Sequence, residues 1–153
     1  MQSKINQRHK SLVAREIGLG KRKSANRSQR RQAIAVVTRY IATIEANDAK
    51  EQYTAALGQL FALDKQHKKA VATFTDLALN GSDKHKATYT NAAIQSQLVL
   101  ASWPSSPPWN GTKNGRADER AQLRDLYIML RDLNPKHVQW PLNAHIGLLH
   151  LKL

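Results

Sequence analysis

The residues of this chain that could do chemistry are its lysines and arginines, and most of their excess lies near the start of the sequence. Ten of the 24 Lys and Arg residues fall within residues 1–32, where Glu16 is the single acid, so this segment carries +9 of the total net charge of +13. Positive charge at this density attracts polyanions. The candidate nucleic-acid-binding residues are Arg8, Lys10, Arg15, Lys21, Arg22, Lys23, Arg27, Arg30 and Arg31.

The type of contact follows from what this segment lacks. No Phe, Tyr or Trp precedes Tyr40, so there is no platform on which bases could stack. Contacts would be Coulombic and largely independent of base sequence. A helix-turn-helix motif with Gly18 in its turn is disfavoured, because Ser24 stands where the second helix needs an apolar residue.

We therefore expect a basic arm at residues 1–28, extended or partly helical, that lies along a phosphate backbone. Only a short helix around residues 12–17 is indicated within it, and Arg30 and Arg31 would fix its entry onto the body. The arm is expected to be required for nucleic-acid binding and dispensable for folding. A solvated tail without a ligand is the alternative.

Other chemistry is not indicated. The carboxylates are scattered, and the adjacent pair Asp118 and Glu119 falls in the first turn of a predicted helix, where the helix dipole accounts for it. The six histidines form no metal-ligand pattern, there is no cysteine, and no phosphate-binding glycine loop occurs. The sequence thus predicts no catalytic residues, no metal and no cofactor.

Apolar residues recur at spacings of three and four along most of the remaining chain, which is typical of amphipathic helices. No segment alternates as a strand would, so the predicted class is all-α, with a helical domain at 29–153. The predicted helices cover about residues 29–47, 50–66, 68–79, 83–102 and 117–133.

Small and aromatic residues are spaced in a recognisable way within residues 57–78. Gly58 and Ala70 are small enough for two antiparallel helices to approach closely, and Phe61 and Phe74 can fill the space beside the pair. This pattern resembles the tetratricopeptide repeat, a helix–turn–helix unit of about 34 residues.

The resemblance covers about residues 51–84, and further repeats are degenerate. It departs at Lys65, where the repeat has a small residue in its turn, and at Ser82, where it has proline. The resemblance implies helix pairs stacked as a short solenoid whose surface binds partner proteins. An unrelated helical bundle is the alternative.

Two further segments bear on partners. Residues 103–116 form a Pro-rich loop, and a loop of this length is often functional. The C-terminal segment, about residues 138–153, is apolar on nearly every side of a helix. We therefore expect it to be buried against another subunit, either a second copy or a different protein. Folding back beneath the Pro-rich loop is the alternative. The predicted partner-binding residues are Trp140, Leu148, Leu149, Leu151 and Leu153.

Together these features predict a non-enzymatic assembly protein. Its helical body would bind other protein subunits, and its arm would bind the backbone of RNA or DNA in a larger nucleoprotein complex. The alternatives are a pure protein adaptor whose arm meets an acidic partner, a small DNA-packaging protein that oligomerises through its helices, and an enzyme. With no apolar run of membrane-spanning length and no secretory signal, we expect an intracellular protein without membrane contact, with mitochondrial import as an option.

Overall fold

The computed structural model describes residues 2–101 and 117–133. Over these residues the chain forms α-helices and one 3-10 turn, with no strand, so the all-α class is confirmed. The Pro-rich loop at 103–116 and the predicted partner-binding residues Trp140, Leu148, Leu149, Leu151 and Leu153 lie outside the described residues. The elements are α1 (Gln2–Lys21), α2 (Arg27–Ile41), α3 (Asn47–Leu63), α4 (His67–Asn80), the 3-10 turn Asp83–His85, α5 (Lys86–Leu100) and α6 (Ala117–Leu133).

The bounds of α3 to α6 agree with the predicted helices to within about three residues, but α2 is shorter than predicted. It begins with a capping box in which Asn26 Oδ1 accepts from the Gln29 amide at 2.8 Å and Gln29 Oε1 accepts from the Asn26 amide at 3.0 Å. It ends at Ile41, where the Thr43 hydroxyl donates to the Tyr40 carbonyl at 2.7 Å. This bond tightens the last turn and closes the helix before Asn47.

The first helix differs most from the prediction. A basic arm separate from the body was expected over residues 1–28, whereas α1 is a 20-residue helix that continues through Gly18 and Gly20 and packs on α2 and α3. Val13 is fully buried in one cluster with Ala33, Val37 and Leu60. The apolar contacts of this face hold α1 against the body despite its basic composition, so the expectation that residues 1–28 are dispensable for folding does not fit this packing.

A glycine makes this packing close. A Cβ added to Gly20 would lie 2.8 Å from the Ala33 Cβ and 2.8 Å from the Leu60 Cδ2, well inside the ~3.5–4.0 Å of an ordinary carbon contact. Gly18 differs, since nothing lies within 4 Å of the position its Cβ would take. One glycine is therefore explained by the helix crossing and the other is not.

The chain divides into two compact units, Met1–Ala70 and Val71–Leu153. In the first unit α1, α2 and α3 run up, down and up. At one end Gly20 approaches Ala33 and Leu60. At the other, the ring of Tyr40 lies 5.6 Å from that of His9 and 4.9 Å from that of Tyr53. The C-terminus of α1, the N-terminus of α2 and the C-terminus of α3 consequently meet at one end of the unit.

In the second unit α5 packs against α6. The Gln97 side chain is fully buried and donates from Nε2 to the Glu119 carbonyl at 2.8 Å, which ties the end of α5 to the start of α6. Leu123, Leu126 and Leu130 give α6 its buried face. Asp118 and Glu119 lie in the first turn of α6, as the sequence predicted.

The residues expected in the core of the repeat-like segment are mostly buried. Ala70 is fully buried and Phe74 is 4% exposed. Phe61 is only partly buried, and the ammonium of Lys69 lies 5.7 Å from its ring centroid, within cation–π range. The expectation of a core position for Phe61 is therefore corrected to one at the boundary between core and surface.

The two glycines of α1 provide a test of its packing. Gly20→Ala should lower the free energy of unfolding by about 1–3 kcal/mol, because the methyl group overlaps Ala33, which cannot move away. Gly18→Ala should raise it by about 0.5–1 kcal/mol, because alanine stabilises a helix interior and meets open space. Urea unfolding of both variants measures the difference, and equal effects would contradict the packing of α1 on the body.

A second test concerns the core of the second unit. Burial raises the pKa of the Tyr127 phenol above its ordinary value of 10.0. The folded pKa exceeds the unfolded one, so the associated stability is complete below pH 10 and is lost as pH rises through the folded pKa. Unfolding measured from neutral to strongly alkaline pH should show this loss, and Tyr127→Phe should reduce it. An identical pH dependence in both proteins would refute the assignment.

Candidate nucleic-acid interface

Positive charge gathers where the three helix ends of the first unit meet. Segments 21–31 and 64–69 both lie at this end, and Asp64 is the one carboxylate that they contain. We name this set of cations the basic end. Its members are Lys21, Arg22, Lys23, Arg27, Arg30, Arg31, Lys65, Lys68 and Lys69.

The fold keeps acidic residues of the unit away from the basic end. Glu45, Asp48 and Glu51 lie in the α2–α3 connection and the first turns of α3. These segments belong to the opposite end of the unit, because α3 begins there and runs toward the basic end. Asp48 there faces the positive pole of the α3 dipole. Segments 21–31 and 64–69 thus hold nine cations and one carboxylate, and an anion approaching the basic end meets an attractive field.

Asp64 is buried and bound to other side chains of the protein. Its side chain is 5% exposed, and its Oδ2 lies 3.8 Å from the Nε of Arg31 and accepts a hydrogen bond of 2.7 Å from Gln66 Nε2. The ion pair connects α2 with the end of α3. Removing Arg31 would leave the buried Asp64 carboxylate with the Gln66 hydrogen bond alone, so Arg31 contributes to the fold. Both partners lie within the predicted body at 29–153, so the expected role of Arg31 at the entry of residues 1–28 stays a prediction.

Arg30 also differs from its neighbours. It is half-buried, and its Cα lies 3.9 Å from the position that a Gly20 Cβ would take. Its Nε is enclosed without a hydrogen-bond partner among the described residues. Lys21, Arg22, Lys23, Arg27, Lys65 and Lys68, by contrast, are all exposed.

Lys65 adopts a backbone conformation that suits glycine. Its φ is 60°, the left-handed region that glycine enters without steric cost. The residue closes α3 in a Schellman arrangement, in which the Gln66 amide donates to the Phe61 carbonyl at 2.8 Å and the Lys65 amide to the Ala62 carbonyl at 3.1 Å. A lysine at this position adds a cation to the basic end at the expense of backbone strain.

The fold thus brings together six of the nine predicted binding residues, Lys21, Arg22, Lys23, Arg27, Arg30 and Arg31. The other three, Arg8, Lys10 and Arg15, are exposed along α1, farther from this end. Lys65, Lys68 and Lys69 were not predicted. The sequence does show that these lysines lie at the turn between two consecutive predicted helices. Placing that turn beside residues 21–31 also requires knowing that α1 and α3 run in the same direction.

The surface offers charge rather than aromatic rings. Among the residues whose side chains the structure describes, no Phe, Tyr or Trp is exposed. In the same part of the chain, no group of three or more His, Asp or Glu side chains is placed to hold a metal ion, and no helix has the length and apolarity needed to cross a membrane. Comparison of the chain with protein-family models, curated proteins and solved structures gives no match.

The strain at Lys65 can be measured. Lys65→Gly should raise the free energy of unfolding by about 1 kcal/mol, because glycine adopts the left-handed conformation without the Cβ clash. Lys65→Ala is the matched control: it removes the same charge but keeps the Cβ, so it should leave stability nearly unchanged. Urea unfolding compares the two variants, and equal stability would show that charge rather than conformation governs this position.

Proposed function

We propose that this chain is a non-enzymatic protein that binds the phosphates of nucleic acids through the basic end of its first unit. The observation that carries the proposal is the convergence of nine cations from separate segments onto one end of a packed three-helix unit, with Asp64 as the only acid of those segments. Like charges repel one another, so such a cluster opposes folding unless favourable contacts elsewhere offset the repulsion. Neutralisation by a polyanion reverses that cost.

The nature of the surface favours a backbone ligand. Exposed Lys and Arg bind phosphates with little dependence on sequence and release condensed counterions as they do so. The absence of exposed Phe, Tyr or Trp among the described residues disfavours recognition by base stacking. Lys65 adds support, because a residue held in a strained conformation where glycine would fit points to a need for its side chain.

A protein-binding role for the helical body is a second part of the proposal. α3 (Asn47–Leu63) and α4 (His67–Asn80) are joined by three residues, and both small residues of the repeat-like pattern, Gly58 and Ala70, are buried. A short connection of this kind occurs in helix–turn–helix repeats, and the sequence resemblance of residues 51–84 is the basis on which we propose a surface for protein partners. The chain would then act as an assembly subunit within a nucleoprotein complex.

The proposal predicts that the position of a cation matters and not only the net charge. Arg27→Gln with Lys68→Gln removes two exposed cations of the basic end. Arg39→Gln with Lys50→Gln removes the same residue types from exposed positions elsewhere in the unit. The first pair should lower the slope of log affinity against log salt by about 2 on a mixed-sequence DNA duplex and weaken binding roughly tenfold or more, and the second pair should change both little.

Titrations at several salt concentrations measure these slopes, with polyglutamate as a competing polyanion. Equal effects of the two pairs would contradict a site at the basic end. Binding of polyglutamate as tightly as nucleic acid would instead favour the adaptor whose basic surface meets an acidic protein.

A further inference from the structure

One face of α1 is exposed and carries an ordered row of side chains. Arg8, Ser11, Arg15 and Gly18 follow one another at spacings of three, four and three residues, and all four are exposed. With a helical repeat of about 3.6 residues they fall within about 40° of the direction opposite the buried Val13. We name this row the outer stripe.

The outer stripe combines two arginines with two small residues. Arg8 and Arg15 are seven residues apart on the helix, which corresponds to a rise of about 10.5 Å. Ser11 lies between them and Gly18 follows Arg15, so the helix is narrow where it lacks an arginine. The stripe thus presents long cations separated by small residues along about 15 Å of one face, and Arg22 follows in the bend just beyond the end of α1.

Gly18 is the residue that the fold does not account for. Its missing Cβ would meet nothing within 4 Å, so packing does not demand glycine there as it does at Gly20. Glycine in a helix interior is disfavoured, and one common reason to keep it is close approach of the backbone to a ligand. An arginine-rich face with such a gap fits a surface that is negatively charged and that comes into contact with the helix backbone.

Resting on the function proposed above, we infer that α1 is a groove-binding helix, whose outer stripe enters the major groove of duplex DNA. That groove is about 12 Å wide and admits an α-helix of about 10–12 Å diameter. Arginine is suited both to the phosphates at the groove walls and to the O6 and N7 atoms of guanine at its floor. The basic end would contact the backbone beyond the groove.

Other nucleic acids fit this face less well. The major groove of A-form RNA is too narrow and deep for side chains to read. Single strands are bound by stacking on aromatic rings, and no Phe, Tyr or Trp is exposed among the residues whose side chains the structure describes. The proposal therefore distinguishes duplex DNA from duplex RNA and from single-stranded DNA of equal length.

The decisive variant adds bulk without changing charge. Gly18→Leu places a neutral side chain in open space on the outer stripe, so the fold should be retained while the helix is held out of the groove. Affinity for a DNA duplex should fall about tenfold or more, and affinity for duplex RNA and single-stranded DNA should change less than about twofold. Ala14→Leu, at an exposed position on the flank of α1, is the control and should change none of the three by more than about twofold.

A chemical footprint on the unmodified chain gives an independent measurement. Dimethyl sulfate methylates guanine N7 in the major groove and adenine N3 in the minor groove. Full-length protein bound to a duplex should protect N7 and leave N3 reactive. Protection of N3 alone, or of neither position, would overturn groove entry, as would a Gly18→Leu variant that binds duplex DNA like the parent.

These results separate the two proposals. If Gly18→Leu and the footprint both fail while the Arg27 and Lys68 substitutions still lower the salt slope, groove entry is refuted and backbone binding by the basic end stands. If the chain binds no nucleic acid at all, both proposals are refuted. Preferential binding to anionic lipid vesicles over duplex DNA would also refute groove entry.

Discussion

The close crossing of α1 over α2 and α3 at Gly20 is the constraint on which the arrangement of charge depends. Because a hydrogen replaces a side chain there, α1 can approach Ala33 and Leu60 closely enough to bury Val13. That contact aligns the end of α1 with the start of α2 and the end of α3. Lysine or arginine lies at the end of α1, at the start of α2 and in the connection that follows α3. It also fixes which face of α1 points outward. A wider crossing of α1 over α2 and α3 would both loosen the core and move the cations apart.

The same packing must hold positive charges near one another. Unit charges about 10 Å apart interact weakly through water, and salt screens them over about 8–10 Å. The small apolar cluster of Val13, Ala33, Val37 and Leu60 can therefore outweigh the repulsion at moderate ionic strength. The pair of Arg31 with Asp64 offsets part of the charge at the junction of α2 and α3. Lys21, Arg22, Lys23, Arg27, Lys65 and Lys68 are exposed, and their field extends into solvent.

How far the sequence predicts this structure depends on the range of the interactions involved. The 3.6-residue apolar period and turn signals such as Asn80 before Gly81 suffice to place α3 to α6, because both act locally. They fail for α1, where two glycines and many polar residues lower the helical propensity, and tertiary contacts through Val13 and Gly20 override it. The basic end was found only in part, because residues 65–69 join residues 21–31 solely through the antiparallel course of the helices. No local pattern carries that information.

Two residues depart from what local physics favours, and they do so in opposite directions. Lys65 occupies a left-handed position that suits glycine, whereas Gly18 occupies a helix interior that suits alanine. Each departure costs of order 1 kcal/mol relative to the residue that the conformation favours, and no contact described within the chain requires lysine at position 65 or glycine at position 18. The polyanionic ligand that we propose would give both departures the same explanation, because it would favour a cation at Lys65 and an absence of bulk at Gly18.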